Sequence, residues 1–84
     1  MNIVSLRRMG VGQTGTIARV KGGSAIGARI REMGLVPGAE ISIVGRAPLN
    51  DPVNIKLQGY NLTLRNNEAD HILVNMAPAG EDGP

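Results

Sequence analysis

The chain has 84 residues, a formal net charge of +2 and no cysteine. That length makes one domain, in which folding buries only about 60% of the unfolded surface and the core is small. Hydrophobic residues at 42% are too many for a disordered chain, no apolar run approaches the roughly 20 residues of a spanning helix, and the lack of cysteine excludes a disulfide scaffold and a thiolate zinc site.

Near the start, Gly10-Val11-Gly12-Gln13-Thr14-Gly15 satisfies the G-x-G-x-x-G pattern. A dinucleotide fingerprint needs a strand before it and a helix after it. Here Thr16-Ile17-Ala18-Arg19-Val20 follows, which is β-rich, so the glycines read as a turn into a strand over 15–20, closed by Lys21-Gly22-Gly23. With no Walker pattern either, no nucleotide hydrolysis is expected.

The spacing predicts one helix over about 24–33. Ser24 suits the N-cap, where its hydroxyl can accept from a first-turn N–H. Ile26, Ile30 and Met33 fall at i, i+4 and i+7 on one face. Gly27 weakens the helix, so packing must hold it. Arg29 and Arg31 lie towards the C-terminal end, where the helix dipole favours cations. Gly34 sits where a left-handed residue is wanted, and Leu35 is placed to pack back on Ile30, as a Schellman stop expects.

Pro37-Gly38 suits the central positions of a type II turn. Ile41 and Ile43 alternate with Ser42, which predicts a strand over 40–44. Two prolines and Asn50-Asp51 make 46–52, RAPLNDP, a loop. Val53, Ile55 and Leu57 alternate with Asn54 and Lys56 as a half-buried strand. A turn over 58–61 leads to Leu62 and Leu64, which alternate with Asn61, Thr63 and Arg65. A polar bend over 66–70, capped by Asn66 or Asn67, precedes a short closing strand, Ile72-Leu73-Val74. Residues 76–84 lack periodicity and are rich in Gly and Pro, which predicts a disordered tail after a domain over 1–75. The expected fold is mainly β: a small barrel of about five short strands with one short helix.

Four sequence words occur together and in order between Lys21 and Val74: the paired glycines before the helix, M-G-L-V-P-G, R-A-P-L-N-D-P and G-Y-N-L-T-L-R. In these the chain resembles the ferrous iron transport protein A (FeoA) family, small SH3-like β-barrels. The resemblance implies a cytosolic, bacterial accessory protein that does no chemistry. Its implied partner is the cytosolic part of FeoB, a membrane transporter for ferrous iron with a GTP-binding domain. Two alternatives stand beside it. One is a free-standing relative of the barrel domain of metal-dependent repressors, and the other is a nucleic-acid-binding barrel. The second finds little support, because the only aromatic residue is Tyr60 and stacking platforms are missing. Charge is uneven, basic in the first half and acidic in the second, which reads as a solvated mixed surface.

Candidate site residues follow from chemistry. Glu68, Asp70 and the sole histidine, His71, are candidate metal ligands on one short bend, a set too thin to cage ferrous iron, and neither a metal nor a cofactor is expected. No histidine is free to pair with a nucleophile, and Ser5, Ser24 and Ser42 read as turn, cap and strand residues. Candidate partner contacts are Arg46, Pro48 and Leu49 in the proline loop, Tyr60 in the turn, and Leu35 and Val36 after the helix. Prolines limit the entropy lost when a loop binds, and aromatic residues anchor interfaces. Self-association through an edge strand is a further option for so small a core.

Overall fold

Among the described residues, six antiparallel strands make one continuous sheet in the order β1-β6-β2-β3-β4-β5. They are β1 Asn2–Ser5, β2 Thr14–Val20, β3 Glu40–Arg46, β4 Val53–Leu57, β5 Tyr60–Leu64 and β6 Ile72–Met76. A 3-10 turn, Leu6–Arg8, follows β1, helix α1 spans Ala25–Glu32, and a short helix α2 spans Asn66–Ala69. This computed structural model describes residues 2–21, 25–47 and 51–76.

Period-two burial builds the core. Ile17, Ile41, Ile43, Val53, Ile55, Leu57, Leu64, Ile72 and Val74 point inward from five strands into one cluster. Leu6, Met9, Ile30, Leu35, Ala39 and Ala69 close it from the turns and helices, so the interior is aliphatic throughout. Register shifts at Ile17/Arg19 in β2 and at Ile43/Gly45 in β3 add local twist, which helps one sheet curl around one core. Close approach explains one glycine: a Cβ on Gly15 would stand 2.5 Å from Val74 Cγ1.

The helix stop folds as its sequence predicts. Leu35 N–H donates to Ile30 O at 3.3 Å, Gly34 N–H donates to Arg31 O at 3.0 Å, and Gly34 has φ +96°. Those two bonds and the left-handed residue define a Schellman motif. Ile30 is fully buried, with Ile26 and Met33 packed beside it on the same face. The expected cap, Ser24, lies outside the described residues. Next, Ala39 N–H donates to Val36 O at 3.0 Å and Gly38 has φ +94°, the type II turn expected of Pro37-Gly38.

Several boundaries differ from expectation. β1 is an additional strand, because its pairing with β6 gives Asn2–Ser5 a place that local alternation does not announce. Tyr60 and Asn61 belong to β5, and the turn shrinks to Gln58-Gly59. β3 runs on to Arg46, where Arg46 pairs with Val53. β6 runs on to Met76, which pairs with Asn2 and with Gly15, so residue 76 is part of the sheet. The rest of the expected tail, 77–84, lies outside the described residues.

Candidate functional site

The proline loop springs from feet that the fold holds in three ways. Arg46 turns its guanidinium onto the 3-10 turn: Nε donates to Met9 O at 3.3 Å, and Nη2 donates to Met9 O at 2.7 Å and to the carbonyls of Arg7 and Leu6. A guanidinium carries only donors, in a planar fork, so converging carbonyls suit it. Ala47 N–H donates to Pro52 O at 3.1 Å across the base of the loop. Asp51 Oδ1 accepts from Asn66 N–H at 3.0 Å, where a negative charge also suits the start of α2. Arg46, a candidate contact residue, is therefore engaged as a clasp within the fold. Pro48 and Leu49 lie outside the described residues.

The three candidate metal ligands have separate engagements. Glu68 is 8% exposed; its Oε1 accepts from Arg65 N–H at 3.0 Å and its Oε2 lies 3.8 Å from Arg29 Nη1. Thus Glu68 reaches back to cap α2, and neither asparagine is the cap. Asp70 Oδ2 pairs with Arg7 Nη1 at 2.8 Å on the surface. His71 Nδ1 lies 2.7 Å from Asn67 O, and a carbonyl only accepts, so Nδ1 carries the proton. Among the described residues no three histidine or acidic side chains converge as a metal site would require. No helix of the described residues is long and apolar enough to cross a membrane.

At the helix stop the candidates separate. Leu35 is fully buried and is a core residue, which corrects its place among the contact candidates. Its Schellman position turns the side chain inward onto Ile30. Val36 is 40% exposed and Tyr60 71% exposed. They belong to one end of the barrel. A Cβ on Gly34 would stand 3.3 Å from Leu57 Cδ2, and Leu57 is the cross-strand partner of Tyr60. This end offers an apolar, aromatic contact and no reactive group.

Two exposed valines escaped the sequence reading. Val11 sits in the Gly10–Gln13 turn, which Gln13 locks by accepting from Gly10 N–H on Oε1 at 2.6 Å. Gly12 N–H donates to Ile43 O and Ile43 N–H donates to Gln13 O, both at 2.9 Å, which ties the turn to β3 beside exposed Val44. The signal for Val44 was present, since it is out of phase with inward Ile41 and Ile43. The G-x-G-x-x-G segment is thus a turn into β2, as its context predicts.

A cleft of about 370 Å³ lies between the two helices, lined by Ala25, Ile26, Arg29, Arg65, Asn67 and Glu68. It combines two guanidiniums with the Glu68 carboxylate and an apolar floor at Ile26. These groups offer charge and hydrogen bonds without a nucleophile paired to a base.

Comparison with known proteins adds kinship to this geometry. The family model of the FeoA domain matches residues 4–76. A Porphyromonas gingivalis protein, the Fe(2+) transport protein A/Fe(2+) transporter FeoB fusion, is 39% identical over 71 residues, which is 84% of this chain and 8% of that protein. The chain therefore spans less than a tenth of the length of that relative. The NMR structure of a FeoA-like protein from Clostridium acetobutylicum superposes with a TM-score of 0.88 at 32% identity, covering 96% of this chain and 94% of the other. FeoA from Stenotrophomonas maltophilia, crystallised with zinc and described as a prokaryotic SH3 domain protein, superposes at 0.75 with 25% identity, covering 86% and 89%.

Proposed function

The chain belongs to the FeoA family, and from that premise we propose that it is a non-enzymatic, cytosolic accessory protein of ferrous iron uptake that docks on the cytosolic part of a FeoB-type transporter. The observation that carries this reading is the fused relative, in which a FeoA segment and the transporter are one polypeptide. Covalent linkage converts docking into an intramolecular event at high effective concentration, which favours pairs that work in contact. A separate chain must supply the same contact by affinity.

The barrel end at Val36 and Tyr60 supplies a surface for that contact. Tyr60 starts β5 beside a two-residue turn, and Val36 lies between the Schellman stop and the type II turn. Preorganised apolar groups lose little entropy on binding. The docked chain alters assembly, gating or nucleotide turnover of the transporter through contact alone.

Binding of the purified chain to the isolated cytosolic region of the transporter, followed by titration calorimetry, tests this reading. Saturable binding that Tyr60→Ala weakens about tenfold supports it. Absence of binding, with both proteins folded, overturns the docking mode.

A further inference from the structure

Among the described residues the sheet has two edges, β1 and β5. β4 and β5 join through Gln58-Gly59, whose φ values of 49° and 94° belong to a mirror-image type I turn. A two-residue turn of this kind closes on a hydrogen-bonded pair, here Leu57 and Tyr60. Antiparallel pairs alternate in type, so Ile55–Leu62 and Val53–Leu64 are hydrogen-bonded as well, whereas Lys56–Asn61 and Asn54–Thr63 are not. The N–H and C=O groups of Asn61 and Thr63 therefore point away from β4. Among the described residues, β4 is the only strand paired with β5.

Protein edges are commonly blunted by lysine, proline or an inward-pointing charge. Tyr60–Leu64 reads YNLTL and has none of these. Thr63 Oγ1 donates to Asn54 Oδ1 at 2.9 Å, a side-chain bond that ties β5 to β4. The edge thus carries no charge and no proline.

We infer that two copies of this chain associate by pairing their β5 edges antiparallel, about a two-fold axis at Leu62. That register sets Asn61 opposite Thr63 of the second copy, and Thr63 opposite its Asn61. Outward groups meet outward groups, so four hydrogen bonds form at once. Asn61 and Thr63 meet on the polar outer face, and Tyr60 stands opposite Leu64, whose side chain is already fully buried in its own core. The arrangement is isologous and closes at two subunits. Pairing β1 of one copy with β5 of the next would instead be heterologous and grow an open array. The inference goes beyond the transport reading; both use the neighbourhood of Tyr60, so the inference is measured by the oligomeric state of the chain alone and not by transporter binding.

Sedimentation of the full chain over a concentration series should show a monomer–dimer equilibrium. Asn61→Pro removes one outward donor and leaves the β4 ladder intact. It should raise the dissociation constant about tenfold, with little change in melting temperature. The chain has no cysteine, so engineered thiols report geometry cleanly. At the axis a non-hydrogen-bonded pair stands about 4.5 Å apart at Cα, so Leu62→Cys should oxidise to a disulfide dimer. Thr63→Cys alone should not cross-link, because its twin is offset by about 7–8 Å. Leu62 is half-buried, so a pair of exposed sites backs it: Asn61→Cys mixed with Thr63→Cys should give the mixed disulfide. A chain that stays monomeric throughout the series, or a dimer indifferent to Asn61→Pro, overturns the inference. So does an Asn61→Pro chain that loses ferrous uptake while the unsubstituted chain is monomeric, which would give the edge to another protein's strand.

Discussion

Leu35 donates its N–H to the carbonyl of Ile30 at 3.3 Å, and both side chains are fully buried. One motif thus ends the helix, turns the chain by way of left-handed Gly34 and delivers Leu35 to the core. Gly34 has two reasons to be glycine: φ +96°, and Leu57 Cδ2 only 3.3 Å from where a Cβ would stand. Gly34→Ala should destabilise the fold by about 1–3 kcal/mol, measured by urea unfolding. An unchanged midpoint would mean the stop is not under this constraint.

Arg46 joins the foot of the proline loop to the 3-10 turn. Arg46→Lys keeps the charge and loses the fork, so several carbonyls lose their donor at once. A loss of about 1–3 kcal/mol is expected. Faster hydrogen exchange at the Met9 amide, which donates to Leu6 O, should accompany it. A stability loss that leaves that amide protected would place the effect elsewhere.

Gln58 has φ 49°, unusual for a residue with a side chain, at the first central position of the hairpin turn. Asn tolerates that region better and Asn-Gly is a preferred pair for this turn. Gln58→Asn should raise stability by about 0.5 kcal/mol, read as a higher melting temperature. A fall would show that the glutamine side chain contributes a contact of its own.

Gly15→Ala places a Cβ 2.5 Å from Val74 Cγ1 and 3.0 Å from Asn75 O, and backbone cannot swing aside as a side-chain tip can. β2 and β6 must then separate, at a cost of about 1–3 kcal/mol. Thermal unfolding checks this, with Gly45→Ala as the comparison, since nothing stands within 4 Å of a Cβ at Gly45.

Much of the fold was legible because local chemistry and tertiary packing agree. Pro37-Gly38, Gly34-Leu35 and the alternation Val53-Ile55-Leu57 each have one physical reading, and the chain adopts it. β1 was illegible because its signal lies in β6, more than sixty residues away, where Val4 pairs with Val74. Tyr60 reads as a turn residue because Gln58 hides a left-handed position that sequence assigns to glycine or asparagine. At the candidate site, Leu35 and Val36 are neighbours in sequence with opposite fates, one fully buried and one 40% exposed, and only the geometry of the stop separates them. Arg46 reads as a candidate partner contact because the carbonyls that it serves, at Leu6, Arg7 and Met9, lie about forty residues upstream.

The central claim is that this barrel serves ferrous iron uptake by contact. Uptake of ferrous iron under iron limitation, in cells lacking the gene and in cells carrying it back on a plasmid, tests that claim most directly. Uptake should fall on deletion, return with the intact chain, and return only in part with Tyr60→Ala, whose side chain is too exposed to cost more than about 0.5 kcal/mol of stability. Uptake unchanged by deletion would contradict the account and assign the barrel to another pathway.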